Sequence, residues 1–269
     1  MSHSRGIGPV YRKKFLADFL SGRGVQSPAF FYPLFRVPPN LLKLLNSGII
    51  LLFETGGNLS LFITFEGIEG CGKTTQIGHL SSFLQKIHRS FLLTREPGGT
   101  ELGERIRQVL LSSESVGIEP MAELFLYAAA RVQHIRQVIL PALQEGKIVL
   151  CDRFADATLA YQGYGRGLDR EWIEKIHSRT MDKVTPDLTF LLDLPVEEGL
   201  QRAFKRMEKH ASKEDRFEKE ALDFHRRVRE GYLVLAEGEP ERIIILDGMK
   251  DEQTLHREII SCLPSELRG

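Results

Sequence analysis

Gly67-Ile68-Glu69-Gly70-Cys71-Gly72-Lys73-Thr74 fits the pattern G-x-x-x-x-G-K-[ST]. These residue types at this spacing can grip a nucleotide polyphosphate, ATP being the ordinary case. Glycines let the backbone wrap closely, so successive N–H groups point inward at an anion. A helix N-terminus after the loop adds its dipole to that field. Lys73 offers a point charge to the β- and γ-phosphates, and Thr74 a hydroxyl to a Mg²⁺ ion. Asp152, followed by Arg153, has the chemistry to complete the Mg²⁺ shell. Arginine is the second theme. Arg107, Arg153, Arg166, Arg170 and Arg216 are candidates to hold phosphate oxygens, because guanidinium forks match them. Arg166 lies in the glycine-rich stretch Tyr161–Gly167, which reads as a mobile lid that would close over the phosphates and exclude water.

The elements that must position these groups are readable from hydrophobic pattern. Short apolar runs at 61–66, 91–94, 148–151, 188–192 and 243–246 lack polar alternation, as expected of parallel strands covered on both faces. Segments with helical spacing separate them: Lys73 to about Lys86, Pro120 to Glu145, Asp169 to Met181, 196–208, 219–237 and 251–262. The alternation predicts a three-layer α/β fold with a parallel five-stranded sheet flanked by helices. Active groups in such sheets gather beyond the carboxyl ends of the strands. Gly67–Thr74, Arg95-Glu96 and Asp152-Arg153 each follow a strand directly, so three polar clusters converge on one sheet edge.

Bulk properties narrow the function classes. The chain has 269 residues, 42% hydrophobic, with 36 basic and 36 acidic residues. A net charge of zero gives no composition-level attraction to nucleic acid and favours a small-molecule substrate held by local charge. The three cysteines, Cys71, Cys151 and Cys262, have neither zinc nor disulfide spacing and suit a reducing cytoplasm. The eight histidines show no metal-ligand pairing. Residues 1–60 are basic and proline-broken, and read as an N-terminal extension, poorly ordered, outside a domain spanning 61–269. An organellar transit peptide is the alternative. The apolar run from Leu41 to Phe53 is too short to cross a bilayer, which takes ~20 residues, so no membrane partner is expected. Ser212-Lys213-Glu214-Asp215 imitates a guanine-specificity motif but follows no apolar strand, and reads as coincidence.

Taken together, the segments Glu66–Thr75, Thr94–Thr100, Tyr127–Arg131, Asp152-Arg153-Phe154, Ala160–Gly163, Pro186-Asp187-Leu188 and Asp215–Glu218 resemble bacterial thymidylate kinase over about residues 61–262. The resemblance implies the reaction ATP + dTMP → ADP + dTDP, with Mg²⁺, in a cytoplasmic homodimer. It implies that Tyr127, where the family usually has phenylalanine, stacks on thymine, and that Arg131, one turn on, bonds the base edge. Thr158 and Gln162 would contact the base, and Glu69 the deoxyribose and metal region. Arg107 and Arg153 would hold the dTMP phosphate, with Glu96 positioning Arg153. Arg166 would act catalytically from the lid, since the loop positions Ile68, Glu69, Gly70 and Cys71 contain no arginine. Cys71 stands where alanine is common and Phe154 where tyrosine is common. Beside Lys73 at a helix start, Cys71 reads either as an activated thiol or as a small filler turned away from the ligand. Alternatives to the leading reading are a kinase of another nucleoside monophosphate and a phosphate-loop ATPase switch.

Overall fold

The computed structural model describes residues 59–112, 115, 117–210, 216–218 and 220–268. The expected extension therefore lies outside the described residues except for Leu59 and Ser60, as does the Ser212–Asp215 look-alike. Five strands form one sheet: β1 (Leu61–Glu66), β2 (Phe91–Arg95), β3 (Ile148–Asp152), β4 (Leu188–Asp193) and β5 (Ile243–Asp247). Every pairing is parallel and the order is β2-β3-β1-β4-β5. β1 lies at the centre, and all six of its residues are buried. That is why its sequence is continuous rather than alternating. Register pairs Phe65 with Asp152 on one side and Glu66 with Leu191 on the other, so the ends of β1, β3 and β4 open onto one edge.

The helices are α1 (Lys73–Lys86), α2 (Glu101–Leu111), α3 (Pro120–His134), α4 (Leu140–Gln144), α5 (Ala155–Thr158), α6 (Arg170–Thr180), α7 (Val196–His210), α8 (Leu222–Gly238), α9 (Glu252–Cys262) and α10 (Ser265–Arg268). α1 buries Ile77, Leu80 and Leu84 in the cluster that also holds Ile63 and Phe65 of β1. The spacing of three and four residues puts them on one helix face. α2, which the hydrophobic pattern did not single out, starts at Thr100, whose side chain accepts from Gly103 N–H, and buries Ile106 and Leu110. No helix among the described residues is long and apolar enough to cross a membrane.

Two expected elements differ in form. The single helix predicted over Pro120–Glu145 is α3 and α4 joined by a π-helical turn at Ile135–Ile139. Pro141 has no N–H to complete the regular ladder, and the wider turn absorbs that missing bond. The glycine-rich stretch after α5 is also helical, a π-type turn over Leu159–Gly165, with Tyr161, Gln162, Gly163 and Gly165 buried. Its glycines serve close packing. A Cβ on Gly165 would lie 2.7 Å from the Phe224 ring and 2.9 Å from Val228, and one on Gly231 of α8 would lie 2.6 Å from the Tyr164 ring. Gly165→Ala is therefore expected to lower stability by ~1–3 kcal/mol through overpacking, read from urea unfolding at constant m. A change within error of zero would show that the ring yields freely.

Candidate active site

The phosphate loop is shaped by what lies behind it. Gly67 (φ 130°) and Gly70 (φ 72°) adopt backbone angles open to glycine. A Cβ at Gly67 would sit 2.5 Å from Leu192 O, and one at Gly70 would sit 2.0 Å from Gly199 O. The loop is thus pressed against the end of β4 and the first turn of α7. Ile68 and Cys71 turn inward and are buried, so these two contribute backbone to the loop surface. Lys73 folds over the loop, its ammonium donating to Gly67 O (3.1 Å) and Ile68 O (3.0 Å) and lying 3.3 Å from Cys71 Sγ.

Cys71 is 1% exposed and belongs to the main apolar cluster. The activated-thiol reading is corrected by this placement, because a reagent cannot reach the sulfur while the loop is folded. Alkylation by iodoacetamide is expected to proceed at Cys262, which is partly exposed, without loss of activity. Inactivation of wild type but not of Cys71→Ala would contradict that.

A cleft of about 1090 Å³ opens beyond the strand ends. It is lined by Glu69, Gly70, Gly72, Lys73, Thr74, Glu96, Arg107, Tyr127, Arg131, Asp152, Arg153, Thr158, Gln162 and Arg216, all singled out from sequence. Thr74 Oγ1 and Asp152 Oδ2 lie 3.4 Å apart, as the two strand ends require. These are hard oxygen donors facing open space, a set that suits Mg²⁺, which takes one or two protein oxygens and keeps water and phosphate for the rest. No cluster of three or more His, Cys, Asp or Glu that could hold a metal occurs among the described residues.

Arg153 follows Asp152 in a left-handed conformation (φ 67°), uncommon for a residue with a side chain. Its guanidinium donates to Gly67 O (2.9 Å), the Tyr232 hydroxyl (3.0 Å) and Glu69 Oε1 (3.2 Å). Glu69 also accepts from the Tyr161 hydroxyl, and His225 Nδ1 lies 3.3 Å from its other oxygen. Burial alone would raise the Glu69 pKa. The neighbouring His225 and the charges of Arg153 and Lys73 outweigh it and hold the carboxyl down at about 2. Glu69 is therefore ionised at neutral pH. Glu66, fully buried behind the loop, is pushed up to about 7 by burial and by Asp156, against the pull of Arg153, Tyr232 and the Phe154 N–H.

A second network centres on Arg131, 1% exposed. It donates to Glu96 Oε2 (2.7 Å), Thr158 Oγ1 (2.8 Å), Phe154 O (3.1 Å) and His177 Nε2 (3.2 Å). Burial and the Arg131 charge push His177 down to about 3, so it is neutral and accepts. Glu96 Oε1 receives His134 Nδ1 (2.9 Å), whose other nitrogen meets Thr94 Oγ1 (2.6 Å). Glu96 was expected beside Arg153. It holds Arg131 instead, and Glu69 takes the place on Arg153. The cause is topological: the end of β2 faces α3, which carries Arg131, whereas Glu69 lies in the loop beside β3.

Tyr127 and Gln162 face the cleft, and Gln162 Nε2 donates to Glu123 Oε1 (2.7 Å). Arg107 donates to Pro97 O (3.0 Å). The lid arginines separate. Arg166 turns to Glu123 (3.3 Å) and Glu220 (2.6 Å) and stacks on the Phe224 ring at 4.6 Å, so it does not line the cleft. Arg170 lies on Tyr164. Arg216 lines the cleft, bonded to Glu123 and stacked on Phe217, and Arg202 and Arg206 of α7 line it too. Sequence reasoning missed Arg202 and Arg206, and the buried partners Glu66, Tyr232 and His225. The arginines of α7 left a faint signal, a basic face on an amphipathic helix.

Comparison with known proteins agrees with this geometry. The family model for thymidylate kinase matches residues 65–259. A thymidylate kinase of Trichlorobacter lovleyi is 57% identical over 189 residues, covering 70% of this chain and 89% of that protein. One from Pelobacter propionicus is 52% identical over 204 residues, covering 76% and 93%. Among solved structures, the thymidylate kinase from Ehrlichia chaffeensis aligns with a TM-score of 0.62 at 36% identity, over 76% of this chain and 99% of that one.

Proposed function

The chain belongs to the thymidylate kinase family, and on that premise we propose how its cleft divides between donor and acceptor. The enzyme phosphorylates dTMP to dTDP with ATP as the phosphate donor. The observation that carries the division is the meeting of Thr74 and Asp152 at 3.4 Å in the cleft that Arg153 and Arg131 also line.

In this reading the backbone of Gly67–Thr74 cradles the ATP phosphates and Lys73 leaves its carbonyl contacts for the β- and γ-oxygens. Thr74 and Asp152 hold Mg²⁺, which when bound supplies neutralisation of phosphate charge. Arg153 and Arg107 hold the dTMP phosphate in line with the γ-phosphate. Tyr127, Arg131, Thr158 and Gln162 form the thymine end, and Glu69 meets the deoxyribose while fixing Arg153. Positive charge over the moving phosphoryl group falls to Arg206 and Arg216, which line the cleft although Glu218 and Glu123 pair with them, ahead of Arg166, which is held by Glu123 and Glu220 and does not line it.

Exposed apolar side chains at Phe125 of α3 and Trp172 of α6, which line one shallow surface groove, support the homodimer. Three free thiols suit the cytoplasm. The metal assignment has a direct test. Asp152→Asn is expected to raise the Mg²⁺ concentration for half-maximal rate by roughly tenfold, the equivalent of one lost charge-assisted contact. An unchanged Mg²⁺ dependence would remove Asp152 from the metal shell.

A further inference from the structure

We propose that Glu66, acting with Tyr232, is a positioning residue that fixes Arg153 at both its backbone and its guanidinium. The inference rests on the reading of Arg153 as the arginine that holds the acceptor phosphate. Glu66 is the last residue of β1, 0% exposed, and it does not line the cleft. One carboxylate oxygen accepts from Phe154 N–H at 2.7 Å. That peptide group directly follows Arg153. The Arg153 N–H itself donates to Phe65 O at 3.0 Å, so the left-handed residue is pinned on either side by consecutive residues of β1. Such a backbone conformation persists only where the surroundings over-determine it.

The second Glu66 oxygen accepts from the Tyr232 hydroxyl at 2.7 Å, and the oxygen of that hydroxyl accepts from Arg153 Nη1 at 3.0 Å. Tyr232 has one proton to donate. When Glu66 is ionised, donation from Tyr232 to it leaves the hydroxyl's lone pairs for Arg153, so the carboxylate form sets the direction of the relay. Tyr232, on α8, is 2% exposed and likewise does not line the cleft. Asp156 is not a substitute for Glu66, because both its oxygens are taken by Arg242 at 2.7 and 2.9 Å. The arrangement has a mechanical consequence. Gly67 follows Glu66 in the chain, and its carbonyl accepts from the same Arg153 nitrogen. The strand end that launches the donor loop therefore also sets the acceptor arginine, and the two phosphates are registered to one another through a single peptide segment.

The test is a double-mutant cycle read on dTMP binding by calorimetry, with the ATP KM and the melting temperature measured beside it. Tyr232→Phe is expected to weaken dTMP by about tenfold and to leave the ATP KM within about twofold. In an Arg153→Ala background the same change is expected to do nothing further. Glu66→Gln keeps the side-chain shape but offers one oxygen where two donors arrive. It should weaken dTMP similarly and non-additively with Tyr232→Phe, which covers the case in which one variant fails to fold. Additive losses, or equal losses for dTMP and ATP accompanied by a lowered melting temperature, would mean that Glu66 and Tyr232 only support the core. If Arg153→Ala alone leaves dTMP affinity unchanged, the phosphate-holding reading falls and this proposal with it.

Discussion

Lys73→Ala is expected to leave a folded protein whose phosphoryl transfer is reduced by at least roughly a hundredfold, the scale for removing one preorganised charge at a reacting oxygen. The ammonium makes its hydrogen bonds to two loop carbonyls and lies beside a cysteine sulfur, while the lysine itself lines the cleft. One of those carbonyls, that of Gly67, keeps the Arg153 guanidinium as a donor, so the stability cost is small. The transition state loses more. Charge spreads over the γ-phosphoryl oxygens as the bond to the leaving oxygen loosens, and among the described residues no other lysine lines the cleft to meet it. A far-ultraviolet spectrum and melting curve like those of wild type, with turnover lost, is the expected pair of results. Turnover within a few-fold of wild type would mean that the loop is not the donor site.

Arg131→Ala is expected to act on two levels. Within the folded protein, dTMP use should weaken by roughly ten- to a hundredfold with ATP use largely spared, because one hydrogen bond to charge is removed at the base end of the cleft. Stability should fall as well. Arg131 donates to four partners, and its removal leaves Glu96 nearly sealed from water with, among the described residues, only the His134 side chain bonded to its carboxylate. Breaking a buried ion pair from one side typically costs ~3–5 kcal/mol. Arg131→Lys should be intermediate, since an ammonium can reach Glu96 but cannot serve Thr158, Phe154 and His177 in one plane. Calorimetric melting of the three proteins, with kinetics taken well below the lowest transition, separates the two effects. A melting temperature unchanged in Arg131→Ala would show that Glu96 finds another partner.

The five strands were legible because a central parallel sheet is buried on both faces, and continuous apolar runs have no competing explanation once helices separate them. The phosphate loop and the Thr74–Asp152 pair were legible for a related reason: both sit where strands end, and strand order alone brings them together. Legibility failed where geometry depends on what packs from far along the chain. Glycines 163, 165 and 167 look like slack, yet Gly165 exists to admit the Phe224 ring. Arg166 looked like a lid cation, yet Glu123 and Glu220, at distant positions in the sequence, draw it away from the cleft. Glu96 was assigned to the wrong arginine because sequence shows that both follow or face strand ends but not which helix crosses there. Tyr232 reaches Glu66 across a separation of 166 residues, and nothing local in either segment announces it.

The measurement that bears most directly on the central claim is product identification with the purified enzyme, ATP, Mg²⁺ and each nucleoside monophosphate in turn, followed by ion-exchange chromatography. The predicted result is dTDP and ADP formed one for one with dTMP, well above the rate with dUMP or any ribonucleotide. Inorganic phosphate released from ATP without dTDP, or faster turnover of another monophosphate, would contradict the account.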